Sequence, residues 1–360
     1  MHPSTLGSNE TWFSSLFGSS LLNSQVLVPR RRFVQCVRHA IKPHTPGFPA
    51  RVRRAPFSLV VSPNGQHGVL LSSDAAQVLD DQGNERWVSS RWDVIAFDDV
   101  VFVAGNPATW DGTVLPEENS VPQSALARRL TPTHFAAVWA GSRLSGQNRV
   151  PAALNLRGGL RVRQPREDWI KRVEGSGVAA IAQDLTAFLA FSNHKLKVFA
   201  PRADSQDWAI LVTEQDVGMA ASQISLIGSK VFLLAASGNG TLLRVFTRAI
   251  KPVYSLTVPL QAYQPAVAGA AGRAYLVGNG LVAIDHGKVT WKHESTEPLY
   301  VSSFEDGSLA VANGKRLDFL KPDGTVDQSF PAEEPLVAPP AIAADGSVWA
   351  ASATALYIAR

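Results

Sequence analysis

Side-chain oxygens crowd together in two short stretches, "DDQGNE" from Asp80 and "EDG" from Glu305, and such crowding is what a calcium ion or a general acid–base pair needs. Each stretch, however, carries a glycine between two apolar runs, the composition of a tight turn joining strands. They are read as turns, and no acidic cluster with calcium-like spacing remains. The eight histidines stand at positions 2, 39, 44, 67, 134, 194, 286 and 293, without a His-x-His or HExxH arrangement. His286 and His293 straddle a turn and a strand, so they are not read as metal ligands. The lone Cys36 excludes an intrachain disulfide. "SGNGT" from Ser237 and "VGNG" from Val277 each lie between β-like runs, so no helix N-terminus follows to receive a phosphate. No Gly-x-Ser-x-Gly elbow occurs. The expectation is a chain with no catalytic residues, no cofactor and no metal.

Binding is the remaining chemistry. "NPATWDGTVLPEENSVPQS", residues 106–124, is long, rich in proline and acidic, and it carries Trp110, Asp111, Glu117 and Glu118. A loop tryptophan on a rigid frame suits a partner contact, and Trp169 in "RQPREDWIKRVEG" is a second candidate. A basic segment offers a different surface. Residues 1–73 hold eight Lys and Arg against the single acid Glu10, which leaves 26 basic against 29 acidic residues in the remainder. Arg30, Arg31, Arg32, Arg38 and Lys42 form its first part, and they would suit nucleic acid, an anionic surface or an acidic protein. Only Phe33 and Phe48 are interleaved with them, too few aromatics for base-specific reading of RNA.

What positions these residues is a repeat. A short apolar run, a tight turn and a second β-rich run recur eight times, from "FSLVVSPNGQHGVLLSS" at Phe57 to "PPAIAADGSVWAASA" at Pro339. Their turns recur on average about 40 residues apart, the period of four short strands, or one propeller blade. No sustained helical periodicity competes, while 27 glycines and 23 prolines punctuate the chain as an all-β fold requires. The first and sixth units add an outer hairpin, "VLDDQGNERW" and "VAIDHGKVTW", in which Asp80, Gly83 and Trp87 match Asp285, Gly287 and Trp291. Asp345 and Gly346 mark the corresponding inner turn of the last unit. These eight residues are read as turn formers and as contacts that dock one blade on the next.

Together, "VLDDQGNERW", "PPAIAADGSVWAAS" and "QPAVAGAAGRAYLVGNGLVAIDHGKVTW" resemble the repeats of the quinoprotein-dehydrogenase-like, PQQ-like β-propellers, across about residues 57–360. The resemblance implies an all-β, eight-bladed propeller of four-stranded antiparallel blades, with seven blades as the alternative. Catalytic members of that superfamily carry a neighbouring cysteine pair, a calcium held by Glu, Asn and Asp, and an Asp base. With one cysteine and no calcium-like cluster, this chain reads as a non-catalytic member. It is also expected to be WD40-like in architecture.

The expected domains are a basic, mostly irregular arm over residues 1–49 and a propeller over 50–360. The final unit, "PPAIAADGSVWAASATALYIAR", supplies three strands, so an N-terminal strand should complete the last blade, with "ARVRRAP" at residues 50–56 as its expected source. With 45% hydrophobic and 18% charged residues and no run of about 18 apolar residues, the chain is expected to be globular, monomeric and without a membrane span. Its Arg cluster follows rather than precedes the first apolar stretch, unlike a secretory signal, so a cytoplasmic location is expected. The expected function is a scaffold holding another protein through loops on one ring face, within a larger bacterial assembly. The alternatives are an exported propeller of the outer-membrane-assembly type and a sugar- or cofactor-binding propeller that uses the central channel.

Overall fold

The computed structural model describes residues 28–42, 58–62, 65–71, 76–89, 94–96, 100–103, 106–109, 125–131, 134–142, 149–156, 171–172, 177–182, 186–191, 193–201 and 209–360. The chain is an all-β propeller. Its described strands form eight antiparallel sheets, seven of four strands and one of three. In seven of them the strands run in chain order from the inner to the outer edge: the fifth, for example, is Gln223–Ile227, Lys230–Ser237, Gly240–Thr247 and Pro252–Val258.

The burial patterns follow from position in a blade. Middle strands are covered on both faces by neighbouring sheets, so Ala274–Val277 and Val348–Ala351 are buried at every residue and read as continuous apolar runs. Outer strands have one face towards water, and Lys288–Glu294 and Val326–Pro331 alternate accordingly. The core is divided among the sheet interfaces. One cluster joins the fifth and sixth sheets through Phe232, Leu243, Leu276 and Ile284, and another joins the sixth and seventh through Tyr275, Leu281, Val301 and Val311. A third joins the seventh and eighth through Phe304, Phe319, Val348 and Tyr357. The ring closes where the eighth sheet meets the first, with Trp349 and Ile358 packed against Leu59, Leu70 and Leu79.

The outer position of the last sheet is filled from the N-terminal side, as expected, but by a different segment. Cys36–Ala40 pairs antiparallel with Ala355–Ala359, from Cys36 opposite Ala359 to Ala40 opposite Ala355. This corrects the assignment to residues 50–56, which lie outside the described residues. The physical reason is that an outer strand needs backbone pairing rather than an apolar face, and "CVRHA", half-buried only at Cys36 and His39, satisfies that condition with little hydrophobic signal. The chain then crosses to the first sheet: the Lys42 N–H donates to the Gly83 carbonyl at 2.9 Å, and the Glu85 N–H donates to the Lys42 carbonyl at 2.8 Å.

A second correction concerns the proline-rich insertion. Its first residues, Asn106–Thr109, are the third strand of the second sheet rather than loop, pairing with Val100–Val103. Pro107 is tolerated because this strand is, among the described residues, the edge of its sheet, where a missing N–H breaks no further ladder.

Candidate interaction surface

The Asp-Gly turns prepare the sites at which sheets dock. At the first outer hairpin Asp80 Oδ1 accepts the N–H groups of Gln82 at 2.9 Å and Asn84 at 2.8 Å, while Oδ2 accepts the Asn84 amide at 2.9 Å. Gly83 then turns with φ +76°, and a Cβ there would come within 2.6 Å of the Ala40 carbonyl oxygen on the closing strand. At the equivalent turn of the sixth sheet, Gly287 lies beneath Tyr254 of the fifth, and the Asp285 carboxylate pairs with the ring of His286. Trp291 in turn covers Gly324 of the seventh sheet and donates its indole N–H to the Pro322 carbonyl at 2.9 Å. Trp87 is half-buried on the outer strand of the first sheet. Asp345 Oδ1 accepts the Ser347 N–H and hydroxyl at 2.8 and 2.7 Å, with Gly65 of the first sheet against it.

Burial works to raise the pKa of Asp80, but the hydrogen bonds from Asn84 and Gln82, with Arg86 close by, prevail and hold it below the usual carboxylate range. A group whose folded pKa is depressed contributes stability above its unfolded pKa, and that contribution is lost as pH falls through the folded value. Asp80→Asn is therefore expected to flatten the acid limb of the stability profile, read as urea midpoints between about pH 6 and about pH 3. Midpoints that fall as steeply as in the parent chain would remove Asp80 from the acid response.

The basic segment lies across the seventh, eighth and first sheets. Arg30 pairs with Asp327 at 2.5 Å and stands 5.7 Å from the centre of the Phe319 ring. Phe33 is buried, with its ring 4.3 Å from Phe319 and 6.3 Å from Phe304. Both ends of the Gln328 amide hold its backbone: the Phe33 N–H donates to Gln328 Oε1 at 3.1 Å, and Gln328 Nε2 donates to the Phe33 carbonyl at 2.8 Å. Arg38 pairs with Glu333 at 3.0 Å, beside Glu334 at 3.9 Å, and Lys42 is exposed. Burial pushes the Cys36 thiol up to about 11, so it stays protonated at neutral pH and is a poor nucleophile. Arg30, Arg31 and Arg32 line an open recess of about 390 Å³ with Asp306, Asp327 and Gln328.

Trp110, Asp111, Glu117, Glu118 and Trp169 lie outside the described residues. Tyr254 and Gln328 were not singled out from the sequence, and Phe33 was read only as an aromatic interleaved with the arginines. A signal for Gln328 did exist: it stands four residues after Gly324, the spacing that places Trp87 after Gly83 and Trp291 after Gly287. Among the described residues no group of three or more His, Cys, Asp or Glu is placed to hold a metal ion, and no helix is long and apolar enough to cross a membrane.

The fold defines the class: this chain is a β-propeller, and its likeness to the PQQ-like propellers is a likeness of fold. No family model and no curated protein matches the sequence. Among solved structures, apo AztD from Citrobacter koseri is similar over 78% of this chain and 87% of that one, at 10% identity and a TM-score of 0.53. Hsv2p from Kluyveromyces lactis is similar over 77% of this chain and 99% of its own, at 11% identity and a TM-score of 0.51. BamB from Moraxella catarrhalis covers 85% of this chain and 83% of its own, at 13% identity and a TM-score of 0.47.

Proposed function

We propose that this chain is a non-enzymatic scaffold that holds another protein on the surface of its ring, within a larger assembly. The observation that carries this reading is the use of its carboxylates. Asp80 and Asp306, in the two stretches where acid–base or metal chemistry was conceivable, and Asp323 and Asp345, in two further Asp-Gly turns, each accept an N–H of their own turn. Asp318, buried in the seventh sheet, accepts hydrogen bonds from Asn313 and Ser329. Groups held in this way rigidify a frame, and a rigid frame presents loops to a partner at low ordering cost.

The insertion that follows Asn106–Thr109, with Trp110, Asp111, Glu117 and Glu118, is proposed as the principal contact, and Trp169 as a second. Affinity capture with the tagged chain, intact and lacking residues 110–124, tests this assignment. Partners recovered by the intact chain should be lost from the deleted one. An unchanged set of partners would exclude the insertion as the contact.

A further inference from the structure

Between two fixed residues the N-terminal segment presents a pair of guanidinium groups to solvent. Arg30 is held on one side by Asp327 and the Phe319 ring, and the Val28 carbonyl before it accepts the Glu305 N–H at 3.1 Å. Phe33 is held on the other side by its burial among aromatic rings and by the Gln328 amide. Arg31 and Arg32 between them are exposed, and neither forms an ion pair with another described residue. Arg31 lies against Gly346, where any added side chain would collide with its guanidinium.

The two acids that share the recess are already engaged. Asp327 faces Arg30 and, at 3.7 Å, Lys321, while Asp306 accepts the N–H and hydroxyl of Ser308 in its own turn. With three arginines against two carboxylates, the recess has an excess of positive charge, located at Arg31 and Arg32. Because their backbone is pinned at both ends, little backbone ordering remains to oppose a ligand.

We propose that this recess binds a short acidic peptide segment of a partner protein, with its carboxylates received by Arg31 and Arg32. The planar guanidinium fork matches a carboxylate in bidentate geometry. A nucleic-acid strand fits less well. Asp306 and Asp327 would face its phosphates, and the aromatic rings nearby, Phe33, Phe304 and Phe319, are buried and cannot stack on bases. From the proposed function this inference takes only that the ring holds a protein. It places one contact at the seventh and eighth sheets, on residues other than 110–124.

The test is fluorescence anisotropy with a labelled hexaglutamate peptide and the whole chain. Saturable binding is expected at low salt, about tenfold weaker in each of Arg31→Gln and Arg32→Gln and unchanged in Lys251→Gln, a remote exposed cation. Raising salt from about 20 mM to about 300 mM should weaken binding to the unmodified chain, a check that needs no variant. Absent binding, salt-independent binding, or equal affinity in the Arg31→Gln, Arg32→Gln double variant overturns the proposal. So does a single-stranded oligonucleotide that binds more tightly than the peptide through the same two arginines. If the peptide fails while partners are still captured, the recess falls and the scaffold stands. If the peptide binds while deletion of residues 110–124 leaves the captured partners unchanged, the insertion falls and the recess stands.

Discussion

Deleting residues 28–42 is expected to abolish the cooperative melting of the ring and to drive the chain into aggregates, seen in size-exclusion chromatography as loss of the elution peak of the intact chain. The segment contributes Phe33 and Ile41, both buried, and each such side chain is worth about 1.5–3 kcal/mol. It also satisfies the backbone edge of Ala355–Ala359, whose five residues are all buried, and the buried side of the Gln328 amide. Once that edge is bare, Leu356, Tyr357 and Ile358 border unpaired N–H and C=O groups, the arrangement through which sheets recruit other chains. The summed loss is of the same order as the ~5–15 kcal/mol that holds a whole domain together. Val34→Thr, at a residue 90% exposed, should melt as the parent does. Unchanged melting after the deletion would mean that another segment fills the outer position, with residues 50–56 first to be tested.

That contrast shows where the sequence was readable. Inner and middle strands announce themselves, because burial on both faces demands unbroken apolar runs such as "AYLV" and "VWAA". The Asp-Gly turns are equally legible, since a residue at φ near +80° between two strands favours glycine. Closure was legible as a need, three strands wanting a fourth, but its source was not. "CVRHA" and "ARVRRAP" are similar short basic segments, and proximity in sequence favoured the wrong one.

The charges of the arm were visible, whereas their partners were not. Arg30 meets Asp327, 297 positions away, and nothing local to either residue encodes that meeting. Gln328 was hidden for a related reason. Trp291 can dock on the turn at Gly324 because the seventh sheet has a hairpin leading into its outer strand. The eighth sheet has none, because its outer strand arrives from the other end of the chain. At the matching position a residue able to grip an incoming backbone replaces the tryptophan, and glutamine in isolation reads as ordinary surface.

Trp349 gives the sharpest single-residue test of ring closure. Its side chain is fully buried on the second strand of the eighth sheet, against Gly68 of the first, where an added Cβ would stand 3.0 Å from the indole ring. Trp349→Ala should cost about 3–5 kcal/mol, because the surrounding strands are fixed by their ladders and cannot collapse into the space. Trp349→Phe should behave differently. The Trp349 indole N–H is buried without a hydrogen-bond partner among the described residues, so the tryptophan carries a desolvation penalty of about 1–3 kcal/mol that phenylalanine lacks. That relief offsets much of the smaller ring's lost packing, and the net change should stay within about 1.5 kcal/mol. Urea denaturation followed by circular dichroism distinguishes the two variants. If Trp349→Phe were as damaging as Trp349→Ala, the N–H would have to be making a bond that matters. If neither destabilised the chain, the interface between the eighth and first sheets would not be what holds the ring shut.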